Sequence, residues 1–308
     1  MLVGSGVPMR VLVTGWFSFV DGEATAGDVG SARTVAEALS GAGVEHDIAW
    51  SPMFRPEGPS LDEADPGRYS HVLFVCGPAH GEQVRRLHRR YAGCRRIAVG
   101  VSVIDPEDPA VRGFHEVLAR DLPHGAARPD LAHAAPVEGP VPVVGVAAAP
   151  GQPEYAARGG HAAVHERLAA WLTRRDCARV PLDTRLDSRD WRHCASPGQF
   201  DALVRRMDLV LTTRLHGLVL ALRNGVPAIA VDPVIGGAKV SAQARAWGWP
   251  AVVVDRAEDP LPEDRLRELW DWCLSPDVHD ALGRLAPPPP EALPRGPLVA
   301  DMLGALVR

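Results

Sequence analysis

Short apolar segments alternate with longer amphipathic ones along most of this chain, and this alternation restricts the possible folds more than any other feature. Residues 10–16 contain the contiguous apolar run typical of a strand buried on both faces. Residues 29–43 follow with apolar side chains at helical spacing and with glycines that end the helix. The same alternation predicts strands at 46–51, 71–78 and 95–103 and helices at 82–93 and 109–121. Strand–helix repeats of this kind predict a parallel sheet with helices on both faces.

A proline-rich stretch at residues 134–142 interrupts the pattern, which then starts again. Beyond it, the sequence predicts strands at 141–150, 178–184, 208–213, 227–233 and 250–255, with a helix after each of them. We therefore predict an α/β protein of two doubly wound, Rossmann-like domains that face a cleft, residues 9–136 and residues 137–308. The second domain ends in a proline-rich tail, with PPPP at 287–290 and a last helix at 297–307.

The cysteine pattern and the net charge limit the compartment and the partners. The five cysteines are an odd number without CxxC spacing, which favours reduced cytosolic thiols over disulfides or a zinc site. The net charge of -5 argues against a general nucleic-acid binder. No apolar run reaches the length of about 18 residues that indicates a membrane span, and the first residues lack the apolar region of a signal peptide. We therefore expect a cytoplasmic protein without a membrane span.

The segment TTRLHGLVLALRNGVP, residues 212–227, places an arginine and a histidine where a buried strand gives way to a helix. In a parallel sheet this point lies at the carboxyl edge, where open α/β sheets bind ligands. Two cations beside the partial positive charge of a helix N-terminus favour a bound anion. Arg214 can grip a carboxylate or phosphate with two N–H groups, and His216 can donate a proton near neutral pH. The alternative is a structural arginine–carboxylate bridge beside a histidine that is satisfied within the protein.

Further loops at predicted strand ends of the second domain carry cations or paired glycines. Gly236 and Gly237 are candidates for an anion-binding nest of backbone N–H groups, although paired glycines also form plain turns. Lys239 opens the helix that follows them. The candidate substrate-binding residues are Arg158, Arg185, Arg214, Gly236, Gly237 and Lys239. Because the carboxyl ends of parallel strands meet at one edge, we expect these residues to line one strongly positive crevice.

In the first domain, a long glycine-rich loop at residues 15–32 leads into the first helix. Asp28 lies near the start of that helix and has two interpretations: an N-cap, or a catalytic base or hydroxyl anchor for an acceptor substrate. His80 and Glu82, after the strand at 71–78, are another candidate pair on a loop.

His161 and His165 are four residues apart on a predicted helix, a spacing that two metal ligands can have. No third ligand lies at a matching spacing in the sequence, so the pair indicates a solvated helix face. We therefore expect neither a metal nor a cofactor.

The segment from about 199 to 250 resembles the C-terminal part of the polysaccharide pyruvyl transferase family. The resemblance is carried by a strand, the pattern S/T-x-R-x-H-G at 212–217, an apolar helix, G-V-P at 225–227, a further strand and the nearby Lys239. It implies a fold similar to that of GT-B glycosyltransferases. It also implies transfer of a pyruvyl group from phosphoenolpyruvate to sugar hydroxyls, usually as a ketal, with Arg214 and His216 in donor binding and catalysis.

The resemblance thus implies two partners, phosphoenolpyruvate bound by the second domain and a hydroxyl-bearing acceptor bound by the first. His216 is then the general acid. Two alternatives stay open. One is a glycosyltransferase of the same architecture with a nucleotide-sugar donor, in which Glu154 or Asp232 binds the ribose hydroxyls. The other is a non-catalytic anion-binding protein on the same scaffold.

Overall fold

The computed structural model describes residues 9–20, 22–54, 57–254, 261–285 and 296–306. The chain divides into two compact units, the first through Glu138 and the second from Gly139. We call them unit 1 and unit 2. The sequence pattern predicts the boundary between the two domains after residue 136.

In its described residues, unit 1 is built on a five-stranded sheet. The strands are β1 (Arg10–Thr14), β2 (Glu45–Ile48), β3 (His71–Val75), β4 (Arg95–Ser102) and β5 (Glu116–Asp121). Their order is β2-β1-β3-β4-β5, and every neighbouring pair is parallel. The helices are α1 (Ala26–Gly41), α2 (Gly81–Arg90) and α3 (Pro109–Arg112). Leu12 and Phe74 pack in one apolar cluster and Val13 and Val75 in another, so alternate residues bury both faces.

The segment 109–121 does not form the predicted helix. Helix α3 ends at Arg112, and Glu116–Asp121 forms β5, paired in parallel with β4. Glu, Leu, Ala and Arg favour a helix locally, but β4 offers an unpaired edge, and pairing in the sheet overrides a weak propensity. Gly113 permits the turn between α3 and β5, since a Cβ there would lie 2.2 Å from Cδ2 of His88 on α2.

Unit 2 contains a second sheet of five described strands. They are β6 (Val143–Ala147), β7 (Ala178–Pro181), β8 (Leu209–Thr212), β9 (Ala228–Asp232) and β10 (Ala251–Val253). Their order is β10-β9-β8-β6-β7, again with parallel neighbours throughout. All residues of β8 and β9 are buried, as their continuous apolar sequence predicts. The described helices are α4 (His161–Leu172), α5 (Pro197–Val204), α6 (Leu215–Arg223), α7 (Lys239–Ala246), α8 (Glu263–Cys273), α9 (Val278–Arg284) and α10 (Pro297–Leu306).

The two sheets share one topology. In each sheet, the second strand along the chain pairs with one edge of the first strand, and the third strand pairs with the other edge of the first. The connections therefore diverge between β1 and β3 in unit 1 and between β6 and β8 in unit 2. Doubly wound folds bind ligands at this point, at the carboxyl ends of the strands. The predicted α/β class with two Rossmann-like domains is confirmed.

The C-terminal segment is described only in part. The proline-rich run predicted at 287–290 lies outside the described residues. The predicted last helix is present as α10, and its residues are exposed. Among the described helices, none has the length and apolar character needed to cross a membrane.

Candidate functional site

A pocket of about 410 Å³ opens at the carboxyl edge of the unit 2 sheet. Its lining residues follow β6, β7, β8 and β9, beside the point where the connections diverge. They include four residues predicted from the sequence, Arg185, Arg214, His216 and Lys239. This pocket is the candidate functional site.

The turn between β8 and α6 places Arg214 and His216 at the pocket. β8 ends at the buried Thr212, and Arg214 is the N-cap of α6 in an extended conformation. The hydroxyl of Thr212 accepts the backbone N–H of Arg214 at 2.9 Å and lies 3.0 Å from the carbonyl oxygen of Ala147, to which it donates. One side chain thereby ties the turn to the neighbouring β6.

Steric crowding explains why the last residue of the R-x-H-G sequence, Gly217, is a glycine. A Cβ on Gly217 would lie 2.2 Å from Oγ1 of Thr212 and 3.3 Å from Cβ of Ala147. A Cβ contact of 2.2 Å does not occur in real structures, so glycine lets the first turn of α6 approach β8 this closely. The position of His216 depends on that approach.

Arg214 is held by the loop that follows β7. Only 17% of its side chain is exposed, and its Nη1 donates to Oδ1 of Asp183 at 2.9 Å and to Oγ1 of Thr184 at 2.7 Å. The structural bridge considered from the sequence is therefore present. In the described part of the chain, Nε and Nη2 of Arg214 have no hydrogen-bond partner, which leaves two donor nitrogens for a ligand.

Asp183 remains ionised beside these cations. Burial raises its pKa, but hydrogen bonds from Arg185 and the charge of Arg214 outweigh burial and lower the pKa to about 2. Arg185 itself is exposed and forms its ion pair with Oδ2 of Asp183 at 2.6 Å. The pocket thus gathers three cations, Arg185, Arg214 and Lys239, of which the first two pair with the Asp183 carboxylate.

His216 is the second residue of α6, and its side chain is exposed to the pocket. Among the described residues, no hydrogen bond or ion pair engages its imidazole. The first N–H groups of a helix also lack intrahelical partners and carry partial positive charge. A free imidazole and helix N–H groups therefore face the same space.

Lys239 is the first residue of α7, and its Nζ lies 5.8 Å from the ring centroid of Tyr155. The loop before it is organised by Asp232, which is fully buried. The Asp232 carboxylate accepts the N–H groups of Val234 at 3.1 Å, Ala238 at 2.7 Å and Ser241 at 2.8 Å. These contacts fix the start of α7 and leave Asp232 buried away from a ligand.

Three predicted residues form a clamped turn beside the pocket and are absent from its lining. The guanidinium of Arg158 donates to the carbonyl oxygen of Ile235 at 2.9 Å and to that of Gly237 at 2.8 Å. The N–H of Gly236 donates to Val254, and that of Gly237 donates to Val234. Both glycines have positive φ, which suits this turn. An anion contact from these N–H groups requires the existing bonds to open.

Asp28, in unit 1, is not the N-cap itself, because Thr25 is the N-cap of α1 and Asp28 is the third helical residue of its capping box. Its N–H donates to Oγ1 of Thr25 at 3.1 Å, and its Oδ2 accepts the N–H of Thr25 at 3.3 Å. Its Oδ1 lies 3.1 Å from Sγ of Cys76. Burial raises the pKa of the Cys76 thiol, which therefore stays protonated and donates to Asp28. Both carboxylate oxygens are already engaged.

Sequence reasoning missed Asp183, Thr184 and Thr213 as parts of the site. The hydroxyl of Thr213 accepts the N–H of Ala149 at 2.8 Å and lies 2.9 Å from Nε2 of His165. Their position in the sequence could have identified them, because all three residues follow strands that end at this edge of the sheet. Their partners lie too far along the chain for local pattern to identify.

The solvated helix face predicted for His161 and His165 is wrong. His161 is buried and His165 is half-buried, because the first turns of α4 pack over the sheet edge. Burial lowers the pKa of both imidazoles. A search of the described residues finds no group of three or more potential metal ligands.

Another pocket, of about 350 Å³, lies in unit 1. Its lining includes Phe19, Leu61, Gln83 and Arg86. Arg86 lies 3.7 Å from Glu82 and is mostly exposed. We assign the candidate site to unit 2 because there the cations, the imidazole and a helix N-terminus converge.

The model of the polysaccharide pyruvyl transferase family matches residues 176–233. The resemblance is confirmed over this segment. It contains β7, β8, α6 and β9, and with them Asp183, Arg214 and His216. The match ends before Lys239, although the resemblance described from the sequence includes that residue. No curated protein matches the chain.

Several solved structures share a low overall similarity. A spinosyn rhamnosyltransferase complexed with thymidine diphosphate is 14% identical, with 97% of this chain and 100% of that chain covered and a TM-score of 0.35. A spinosyn forosaminyltransferase is 16% identical, with 97% and 99% covered and a TM-score of 0.33. A putative UDP-N-acetylglucosamine 2-epimerase from Listeria monocytogenes is 12% identical, with 98% and 96% covered and a TM-score of 0.32.

Proposed function

We propose that this protein is a pyruvyl transferase that moves a pyruvyl group from phosphoenolpyruvate to a hydroxyl of a sugar or related acceptor. One observation carries the proposal: Arg214 and the free imidazole of His216 start one helix at a cationic pocket, within the segment that the family model matches. The five cysteines are free thiols, which supports a reducing, cytoplasmic location.

The pocket suits the charge of the donor. Phosphoenolpyruvate carries a carboxylate and a phosphate on a three-carbon frame, and the pocket offers Arg185, Arg214 and Lys239. Nε and Nη2 of Arg214 can bind one anionic group in a bidentate manner, while Lys239 acts as a point charge for the other. The N-terminus of α6 adds N–H donors of the kind that bind phosphate. A volume of about 410 Å³ holds this small donor with room for an acceptor hydroxyl.

His216 supplies the acid. Its imidazolium form protonates the methylene carbon of phosphoenolpyruvate, which creates an oxocarbenium-like centre at the neighbouring carbon. The acceptor hydroxyl bonds to that carbon, and phosphate leaves in a later step. Attack by a second hydroxyl of the same acceptor completes a ketal. General acid catalysis of this kind contributes about 10²–10⁴-fold.

The nucleotide-sugar alternative has less support from the site. It requires a carboxylate for ribose hydroxyls, and Asp232 is buried with three backbone N–H groups on its oxygens. Glu154 remains, exposed on the 3-10 helix Pro153–Arg158. Glycosyl transfer and non-catalytic anion binding are therefore outcomes of the test below.

Thermal unfolding with phosphoenolpyruvate, compared with UDP- and TDP-sugars, tests the donor. At about 100 times its dissociation constant a ligand stabilises by about 2.7 kcal/mol, which corresponds to a rise in Tm of about 5–10 °C. We expect that rise with phosphoenolpyruvate, and its loss in Arg214→Ala. Arg189→Ala is the control, because Arg189 is exposed and pairs only with Asp187 among the described residues. A rise only with a nucleotide sugar would refute the proposal in favour of glycosyl transfer.

Binding of phosphoenolpyruvate without turnover would support the alternative of a non-catalytic anion-binding protein. Phosphate release is measured with phosphoenolpyruvate and a panel of methyl glycosides. If wild-type protein binds the donor and releases no phosphate with any sugar or with water, the protein is an anion binder and not a transferase.

A further inference from the structure

We propose that the hydroxyl of Thr213, oriented by His165, donates a hydrogen bond to an anionic oxygen of the donor in the candidate pocket. The inference rests on the proposed function, since it names a further group that binds phosphoenolpyruvate. All the residues that it uses belong to unit 2.

Thr213 lines two pockets of unit 2. It follows β8 and lines the candidate pocket together with the next residue, Arg214. It also lines a second pocket, of about 320 Å³, which is formed by α4 and by the ends of β6 and β8. Only 3% of Thr213 is exposed. A hydroxyl buried to this degree needs hydrogen-bond partners in the protein or in a ligand.

Among the described residues, two groups contact this hydroxyl. The N–H of Ala149, which follows β6, donates to Oγ1 of Thr213 at 2.8 Å. Nε2 of His165, on α4, lies 2.9 Å from the same oxygen. A hydroxyl has one proton to donate and two lone pairs that accept. The direction of the hydrogen bond with His165 therefore decides what Thr213 can offer to a ligand.

The surroundings of His165 favour the tautomer that carries its proton on Nε2. Burial lowers the pKa of its imidazole and the charge of His161 lowers it further, so the ring is neutral at pH 7 and has a single N–H. Most of the second pocket beside it is apolar, with Val146, Leu168, Leu172 and Leu211 in its lining. A proton on Nδ1 has no acceptor among the described residues, and an unpaired donor in apolar surroundings is costly. His165 therefore donates from Nε2 to Thr213.

This hydrogen bond leaves the hydroxyl proton of Thr213 for a ligand. Both lone pairs of its oxygen are engaged, one by Ala149 and one by His165. Its O–H has no acceptor among the described residues, and the second pocket is mostly apolar. An oxygen of a ligand in the candidate pocket can accept this proton. Thr213 then adds an uncharged donor to the charged donors of Arg214.

His165 is thus a positioning residue, which acts on the donor only through Thr213. With the opposite tautomer, Thr213 would donate to Nε2 of His165, and its oxygen would present a lone pair to the pocket. A lone pair there repels an anion. The position of one proton on His165 therefore determines whether Thr213 favours or opposes binding of phosphoenolpyruvate.

Calorimetry with phosphoenolpyruvate tests the role of Thr213. The Kd is measured for wild type, Thr213→Val, Thr213→Ser and Thr173→Val. We expect Thr213→Val to raise the Kd at least about tenfold, because a hydrogen bond to a charged group is lost, and Thr213→Ser to stay within about threefold, because it keeps the hydroxyl. Thr173 is the control, an exposed threonine of α4 whose hydroxyl donates to the carbonyl oxygen of Ala170. Equal Kd values in wild type and Thr213→Val overturn the inference.

Nuclear magnetic resonance tests the role of His165 in the unmodified pocket. In protein labelled with nitrogen-15, the chemical shifts of the two ring nitrogens show which of them carries the proton, and His165→Gln identifies the signal. We expect the proton on Nε2 at pH 7.5, both in the free protein and with phosphoenolpyruvate. A proton on Nδ1 overturns the inference.

His165→Gln also serves as the conservative variant. The glutamine amide can donate to Oγ1 of Thr213 as Nε2–H does, so the Kd should stay within about threefold of the wild-type value. A Kd as high as in Thr213→Val contradicts the role of His165. If wild-type protein does not bind phosphoenolpyruvate, the proposed function fails and this inference fails with it. If wild type binds and either test above fails, only the inference is overturned.

Discussion

Arg214 and Asp183 form an ion pair of 2.9 Å that reaches across the end of a strand. Asp183 follows β7 and Arg214 follows β8, while β6 lies between those two strands in the sheet. The pair therefore spans the place where the connections of unit 2 diverge, beside the candidate pocket. It fixes one nitrogen of the guanidinium and leaves the others for a ligand.

Asp183→Asn is expected to tighten phosphoenolpyruvate binding and to slow turnover. The substitution removes a negative charge beside an anionic donor, which is worth about 1 kcal/mol or about fivefold in Kd. Thr184 still binds Arg214, but the guanidinium loses its charged anchor, so kcat falls. Calorimetry with phosphoenolpyruvate measures Kd, and Asp187→Asn is the charge control. Weaker binding in Asp183→Asn would show that orientation outweighs charge here.

His216→Ala is expected to lower kcat by about 10²–10⁴-fold while the Kd for phosphoenolpyruvate changes little. His216 acts on the methylene carbon, whereas the anionic groups of the donor are bound by Arg214 and Lys239. Phosphate-release kinetics and calorimetry separate the two effects. His279→Ala, at an exposed histidine of unit 2, is the control. Wild-type turnover in His216→Ala would remove this residue from the reaction.

Gly217→Ala is expected to destabilise the protein by about 1–3 kcal/mol and to abolish the thermal shift with phosphoenolpyruvate. The added Cβ would lie 2.2 Å from Oγ1 of Thr212, so α6 must move and carry His216 with it. Denaturant unfolding measures the change. Gly283→Ala is the matched control in α9, because its Cβ meets nothing within 4 Å and should stabilise by up to about 1 kcal/mol. Thr212→Ala combined with Gly217→Ala should recover part of the lost stability. A Gly217→Ala protein as stable as wild type contradicts the steric argument.

The stability of the fold is expected to fall as the pH drops below about 6.5, in part through His161 and His165. Burial lowers the pKa of both, and in His165 the charge of His161 adds to the effect. A group with a lowered folded pKa stabilises the fold above its unfolded pKa, about 6.5 for histidine, and loses that stabilisation as the pH falls through the folded pKa. Urea unfolding between pH 7.5 and 5 measures this slope. The slope should be shallower in the His161→Gln, His165→Gln double variant, and an unchanged slope would contradict this prediction.

The sequence was sufficient for features that depend on local pattern. Contiguous apolar residues in β8 and β9 and the glycines and prolines after α6 identify a buried strand–helix–strand unit without tertiary information. Because parallel strands end at one edge, the positions of Arg214, His216, Lys239 and Arg185 followed as well. The R-x-H-G pattern then identified the family resemblance that the family model confirms.

Tertiary structure decided what depends on partners distant in the chain. The segment Glu116–Asp121 became a strand because β4 had a free edge, against its local helix propensity. Arg158 donates to the carbonyl oxygens of Ile235 and Gly237, which are 77 and 79 residues further along the chain. Its guanidinium therefore stabilises a turn and does not line the pocket. Asp108 meets His80 only because β3 and β4 are neighbours. Local pattern fixes where a side chain stands along an element, but sheet order and packing determine which other side chain it meets.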